Sequence, residues 1–310
     1  MDIPDSPRDD TPDGTSRRDL LKVAGAAALG LAGATRTAKA TTMPLIKNGR
    51  IKQSLVHWCY EPYWKDDDAF IQMAKDLGCT SVELAPPTMY PKLKAAGLTN
   101  AIAQIDISPD PPFTKGFNNP ANWDRVIAAT KKSIDDCAEY GYKKVICFTG
   151  YAEGISPEQG AANCVEGFKK VVDYAGDKGV TLCLEMLNTR ADDHPMKGHP
   201  GYQGDHVDYC IDIIKKVGSP HLKLLFDFYH VQIMDGDLIR RLHQLKGLVG
   251  HIHTAGNPGR AELDEKQEIF FPPLMQALLD IGYDGWVGHE FIPTRDPLEG
   301  LKQAVTLCDV

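Results

Sequence analysis

VTLCLE at residues 180–185, LKLLFD at 222–227, LVGHIH at 248–253 and WVGHE at 286–290 are four short apolar runs, in order along the chain. Each stops on a residue that can bind a metal: Glu185, Asp227, His253 and Glu290. Each is followed by a loop and then a helix-like segment. In a parallel α/β barrel the carboxyl ends of the strands converge on one face. Three carboxylates and one imidazole gathered there would hold a divalent cation and leave room for a substrate.

The same alternation extends outward. Residues 51–58, 80–84, 101–107 and 143–148 read as four earlier strands. Helical spacing recurs at 66–77, 123–140, 156–178, 205–217, 238–245, 272–281 and 297–308. The longest of these opens on Ser156-Pro157-Glu158, an N-cap followed by proline at the first helical position. Residues 188–204 form a long polar loop with His194, Lys197, His199 and Tyr202, and 254–260 (TAGNPGR) a tight turn. Eight β–α units in this order predict an α/β fold, a single closed (β/α)8 TIM barrel over residues 41–310.

The chain has 310 residues, a net charge of −8 and a pI near 5.7. Such acidity gives no general attraction for nucleic acid or anionic lipid. Residues 1–40 do not fit the barrel pattern. An Asp/Pro-rich start leads to Ser16-Arg17-Arg18-Asp19-Leu20-Leu21-Lys22, an apolar run at 23–34 and the small-x-small site Ala38-Lys39-Ala40. This order predicts a twin-arginine signal peptide, disordered or cleaved, with the twin-arginine translocase as partner and a periplasmic or exported destination. The apolar run is too short for a stable membrane anchor. Eight cysteines lie mostly inside strand-like and helix-like runs without a Cys-x-x-Cys pair, so free buried thiols are expected, with at most one disulfide. A homo-oligomer is compatible with this composition.

One acid at a strand end is usually just solvated. Four ligands in register point to a metal, because buried carboxylates repel one another without a counter-charge. Three oxygens and one imidazole suit Mg²⁺ or Mn²⁺, with Co²⁺ or Zn²⁺ as alternatives. His230 follows Asp227 by three residues, and His251 precedes His253 by two, which places it on the same strand face. Both are candidates for substrate contact, as is Glu83 at the end of the second strand. Lys197 and Arg260 are the candidate anion contacts, Arg260 through its planar guanidinium. His57, Trp58 and Tyr60 are placed to line the pocket.

The motifs Glu185-Met-Leu-Asn188, Met196-Lys-Gly-His-Pro-Gly-Tyr-Gln203, Asp227-Phe-Tyr-His230, His251-Ile-His-Thr-Ala-Gly-Asn-Pro-Gly-Arg260 and Gly288-His-Glu290 resemble the hydroxypyruvate isomerase family of the xylose-isomerase-like barrels. The likeness runs over residues 45–310. It implies that Glu185, Asp227, His253 and Glu290 ligate the metal, that Glu185 and Glu290 form the acid–base pair, and that His230 and Arg260 meet the substrate. The implied activity is isomerisation of a small hydroxy-carbonyl compound or sugar through an enediolate. Hydroxypyruvate and tartronate semialdehyde are the type pair. Members acting on hydroxypyruvate tend to carry glutamine at the position of His253, whereas related ketose 3-epimerases carry histidine. Epimerase and sugar dehydratase chemistry, and a non-catalytic exported sugar-binding protein, are therefore the alternatives.

Overall fold

The computed structural model describes residues 45–310, so the expected leader over 1–40 lies outside the described residues. Seven strands form one parallel sheet: β1 (Lys52–Val56), β2 (Ser81–Glu83), β3 (Lys144–Cys147), β4 (Thr181–Glu185), β5 (Leu222–Asp227), β6 (Val249–Thr254) and β7 (Trp286–His289). The order is β2-β1-β7-β6-β5-β4-β3. Strands covered on both faces need continuous apolar sequence; Leu184, Leu224, Phe226, Ile252 and Val287 accordingly have no exposure.

The third strand expected, over 101–107, is not a strand. Residues 99–103 nevertheless close the ring. Val82 N–H donates to Thr99 O at 3.1 Å and Leu84 N–H to Ile102 O at 2.9 Å on the β2 side. On the β3 side Ala103 N–H donates to Lys144 O and Ile146 N–H to Ala103 O, each at 2.9 Å. The ladder goes no further because the next residues bond locally. Asp106 Oδ1 accepts from both Ser108 N–H (2.9 Å) and Ser108 Oγ–H (2.6 Å), a side-chain turn that competes with strand pairing.

The helix expected over 156–178 is two helices, Pro157–Lys169 and Val172–Asp177. Val171, at φ −133°, leaves the helical region between them. The predicted N-cap is present: Ser156 Oγ accepts from Gln159 N–H at 3.2 Å. All eight cysteines are buried free thiols. Among the described residues, no helix is long and apolar enough to cross a membrane.

Two features of the sheet position the site. β4 to β7 are consecutive neighbours, so their carboxyl ends lie side by side. Between β5 and β6 the register slips, from Leu224 opposite Val249 to Leu225 opposite His251. Gly250 is thus the extra residue of a bulge, and the shift sets Asp227 opposite His253. A side chain could not replace Gly250, since a Cβ there would lie 2.8 Å from both Cys183 Sγ and Lys223 Cβ.

Candidate metal centre and pocket

Glu185 and Asp227 are the last residues of β4 and β5. His253 lies near the end of β6, and Glu290 directly follows β7. One donor atom from each of the four falls within 4.8 Å of the others, and all four side chains are buried. His253 Nδ1 lies 2.9 Å from Glu290 Oε2 and 3.5 Å from Glu185 Oε1. Asp227 has two tasks. It caps the helix Phe228–Met234 through Oδ1, which accepts from Tyr229 N–H at 2.8 Å. Its Oδ2 is left without a hydrogen-bond partner among the described residues, as are Glu185 Oε1 and His253 Nδ1.

Leaving a buried charged group unpaired costs several kcal/mol (about 3–5 when a buried pair is broken). In the metal-free cluster the His253 ring is, among the described residues, the only cation touching both Glu185 and Glu290, and Asp227 Oδ2, Glu185 Oε1 and His253 Nδ1 make no well-formed hydrogen bond. These converging atoms are a donor set that a divalent cation would satisfy, so the residues present fit one.

Charges around the cluster are uneven. Burial would raise Glu290, but the Arg260 guanidinium and the His253 ring overcome it and hold the carboxyl down at about 2. Arg260 Nη2 donates to Glu290 Oε2 at 2.6 Å, and Trp58 Nε1–H donates to Oε1 at 3.0 Å. Glu185 has no guanidinium beside it, and burial outweighs the His253 ring and pushes it up to about 7; Asp227 is likewise pushed up to about 6 by burial. Two glutamates facing one point thus prefer opposite protonation states, the arrangement expected of an acid–base pair.

A cavity of about 300 Å³ opens onto the cluster. Glu185, Glu290, Arg260, His199 and Gln104 supply its polar lining, and Trp58, Phe113 and Phe148 are among its apolar walls. That volume is at the small end for ligand pockets.

Arg260 reaches the cavity as expected, with its backbone at φ 52°, a left-handed conformation that is costly for a residue with a side chain. Its Nη1 donates to Met196 O at 2.6 Å, which ties the 188–204 loop to the cluster. His230 is fully buried, with Nε2 3.6 Å from Asp227 Oδ2 and Nδ1 2.8 Å from Asn188 Nδ2. Burial first, then Arg260, keeps its ring neutral.

Of the five expected substrate contacts only Arg260 is on the cavity wall; His230 lies buried behind it, and the other three are also placed elsewhere. Lys197 is not on the cavity wall; its Nζ lies 3.7 Å from Asp193 Oδ2, and its carbonyl accepts from Asn188 and Tyr229. Glu83 and His251 have no exposure and do not line the cavity. They sit against the other edge of the His253 ring, because alternation along β6 carries His251 to the interior side of the same face.

His199, Phe113 and Phe148 line the cavity without having been assigned a role. The His199 ring lies 4.3 Å from Phe113 and 5.8 Å from His230, centroid to centroid. Its presence in a glycine- and proline-rich segment was the available signal, but only loop folding brings it over the cluster.

The sequence profile described as "Xylose isomerase-like TIM barrel" matches residues 71–308. The chain belongs to that family. It is similar to the 2-oxo-tetronate isomerase of Pectobacterium atrosepticum, at 29% identity over 74% of this chain and 88% of the relative. It is also similar to the hydroxypyruvate isomerase of Escherichia coli, at 30% identity over 52% of this chain and 60% of the relative. Against other curated relatives, including a human protein matched at 42% identity over 44% of this chain, the alignment spans about half the relative's length (48%). Among solved structures, the family 2 AP endonuclease from Brucella melitensis superposes with a TM-score of 0.69 at 24% identity, covering 81% of this chain and 97% of that one. At that identity the likeness speaks to the fold.

Proposed function

We propose that the protein is a divalent-metal-dependent isomerase of small hydroxy-carbonyl acids, of the hydroxypyruvate or 2-oxo-tetronate kind. The observation that carries this reading is the convergence of donor atoms from Glu185, Asp227, His253 and Glu290 on one point, of which Glu185 and Glu290 also line a cavity of about 300 Å³. The names of the relatives support the substrate class. Glu185, Asp227, His253 and Glu290 would hold the ion, Mg²⁺ or Mn²⁺ in preference to Co²⁺ or Zn²⁺. Once bound, it supplies a Lewis acid that polarises a carbonyl oxygen.

The chain's own groups do the rest. One glutamate takes the C–H proton next to the carbonyl, and the C–H electron pair becomes a carbon–carbon double bond as the carbonyl π pair moves onto its oxygen. The other returns a proton to the neighbouring carbon, while the hydroxyl proton passes between the two oxygens. Arg260 holds Glu290 and presents positive charge to the substrate's carboxylate. Phe113, Phe148 and Trp58 keep bulk water from the reacting carbons.

The metal-loaded protein in heavy water, offered small keto acids and ketoses, should place deuterium on carbon and release the isomer. No exchange with any of them would overturn the reading. His253 favours a second reading, ketose 3-epimerisation, in which the proton returns to the opposite face of the same carbon. The same screen separates the two by product. We also infer export of the loaded protein through Arg17-Arg18, tested by cell fractionation after replacing both with lysine.

A further inference from the structure

Beneath the four-ligand cluster lies a second buried group, Glu83, His251 and His253, which shares His253 with the first. Glu83 ends β2 and reaches across the barrel interior. Its Oε1 lies 3.0 Å from His251 Nε2 and 2.9 Å from His253 Nε2. The two rings stand perpendicular, at 88° with centroids 5.0 Å apart, so a single oxygen gathers both ring edges. Only the His251 contact is well aligned; the His253 contact is close but oblique, Coulombic as much as hydrogen-bonded. The space is made by Gly288 on β7, where a Cβ would fall 1.9 Å from Glu83 Oε1 and 3.0 Å from His253 Cδ2.

An ionised carboxylate can only accept. Each ring nitrogen facing Glu83 must therefore carry its proton. In the metal-free cluster Nδ1, 2.9 Å from Glu290 Oε2, carries a proton by the same rule; once a cation takes that proton's place, the neutral ring keeps N–H on Nε2 and its lone pair on Nδ1. Nδ1 is the nitrogen facing Glu185 and Glu290.

We propose that Glu83, braced by His251, is a positioning residue that fixes the tautomer and tilt of His253, so that Nδ1 faces the metal. The inference rests on the metal reading above but needs no substrate. A carboxylate behind a ligating histidine also raises the basicity of the nitrogen that binds.

The test is Mn²⁺ titration by calorimetry, with ¹⁵N spectra of the His253 ring in the Zn²⁺-loaded protein. Glu83→Gln should weaken Mn²⁺ binding by about 10- to 100-fold and, in the Zn²⁺-loaded protein, move the His253 Nε2 resonance as its N–H loses the carboxylate it faces. His251→Gln, whose amide can still donate to Glu83, should bind close to the unaltered protein, whereas His251→Leu should not. That pair decides the matter if Glu83→Gln fails to fold. Equal Mn²⁺ affinity in Glu83→Gln with an unchanged ring pattern, or equal affinity in His251→Leu and His251→Gln, would overturn the proposal alone. Failure of the unaltered protein to bind Mn²⁺ would overturn the metal reading and this proposal with it.

Discussion

Arg260 Nη2 meets Glu290 Oε2 at 2.6 Å, while nothing comparable holds Glu185. The two glutamates therefore differ in freedom as well as in charge. Replacing either with glutamine removes one of the two proton carriers. Glu185→Gln and Glu290→Gln should each lower solvent-proton exchange by about 10²- to 10⁴-fold, read by deuterium incorporation. Full exchange in both variants would show that neither carries the proton.

Arg260→Lys keeps the charge but loses the planar fork that joins Glu290 to Met196 O. It also loses stacking, since the guanidinium carbon lies 5.4 Å from the Trp58 ring centroid and 5.8 Å from that of Tyr229. A hydrogen bond to a charged group contributes about 1.5–3 kcal/mol. The variant should lose stability on that scale in denaturant melts, and kcat/KM should fall more than the melting point alone explains.

Metal affinity should rise with pH. In the metal-free cluster, burial lifts Glu185 to about 7 and Asp227 to about 6. His253 also keeps its proton well above the usual imidazole range: burial opposes this, but the Glu290, Glu185 and Glu83 carboxylates outweigh it. A cation must displace these protons. Mn²⁺ binding should therefore tighten as pH rises through about 6 to 8 and release protons in step. Calorimetry in buffers of different ionisation enthalpy checks this; affinity flat across that window would contradict the protonation pattern.

Gly288→Ala forces a methyl group into the contact between Glu83 and His253. Overpacking of this kind costs about 1–3 kcal/mol. The variant should melt lower and bind Mn²⁺ more weakly. A neighbouring control, Val287→Ala, leaves a small void instead and should cost stability while sparing the metal.

Much of this site is legible in the chain because each ligand ends an apolar run, and parallel strands bring their ends together without further information. Glu185, Asp227, His253 and Glu290 follow from that rule. Lys197 does not, because the ends of a long loop fix no side-chain direction, and Asp193 lies close enough to draw its ammonium away. Glu83 and His251 show a subtler gap. Strand alternation gives their face, but depth within the barrel depends on the Gly250 bulge and the space at Gly288, neither of which has a periodic signature. The unformed strand at 101–107 has an alternating pattern that reads correctly in isolation; a local bond from Asp106 to Ser108 displaces it.

The two single bridges at Ser81–Thr99 and Ala103–Val145 are the thinnest lacing in the ring, and they face away from β6 and β7. The chain leaving that seam supplies Gln104, Pro111, Pro112 and Phe113 to the cavity wall. The ion-gripping strands are thus laced by full ladders, while the cavity wall opposite hangs on two single bridges.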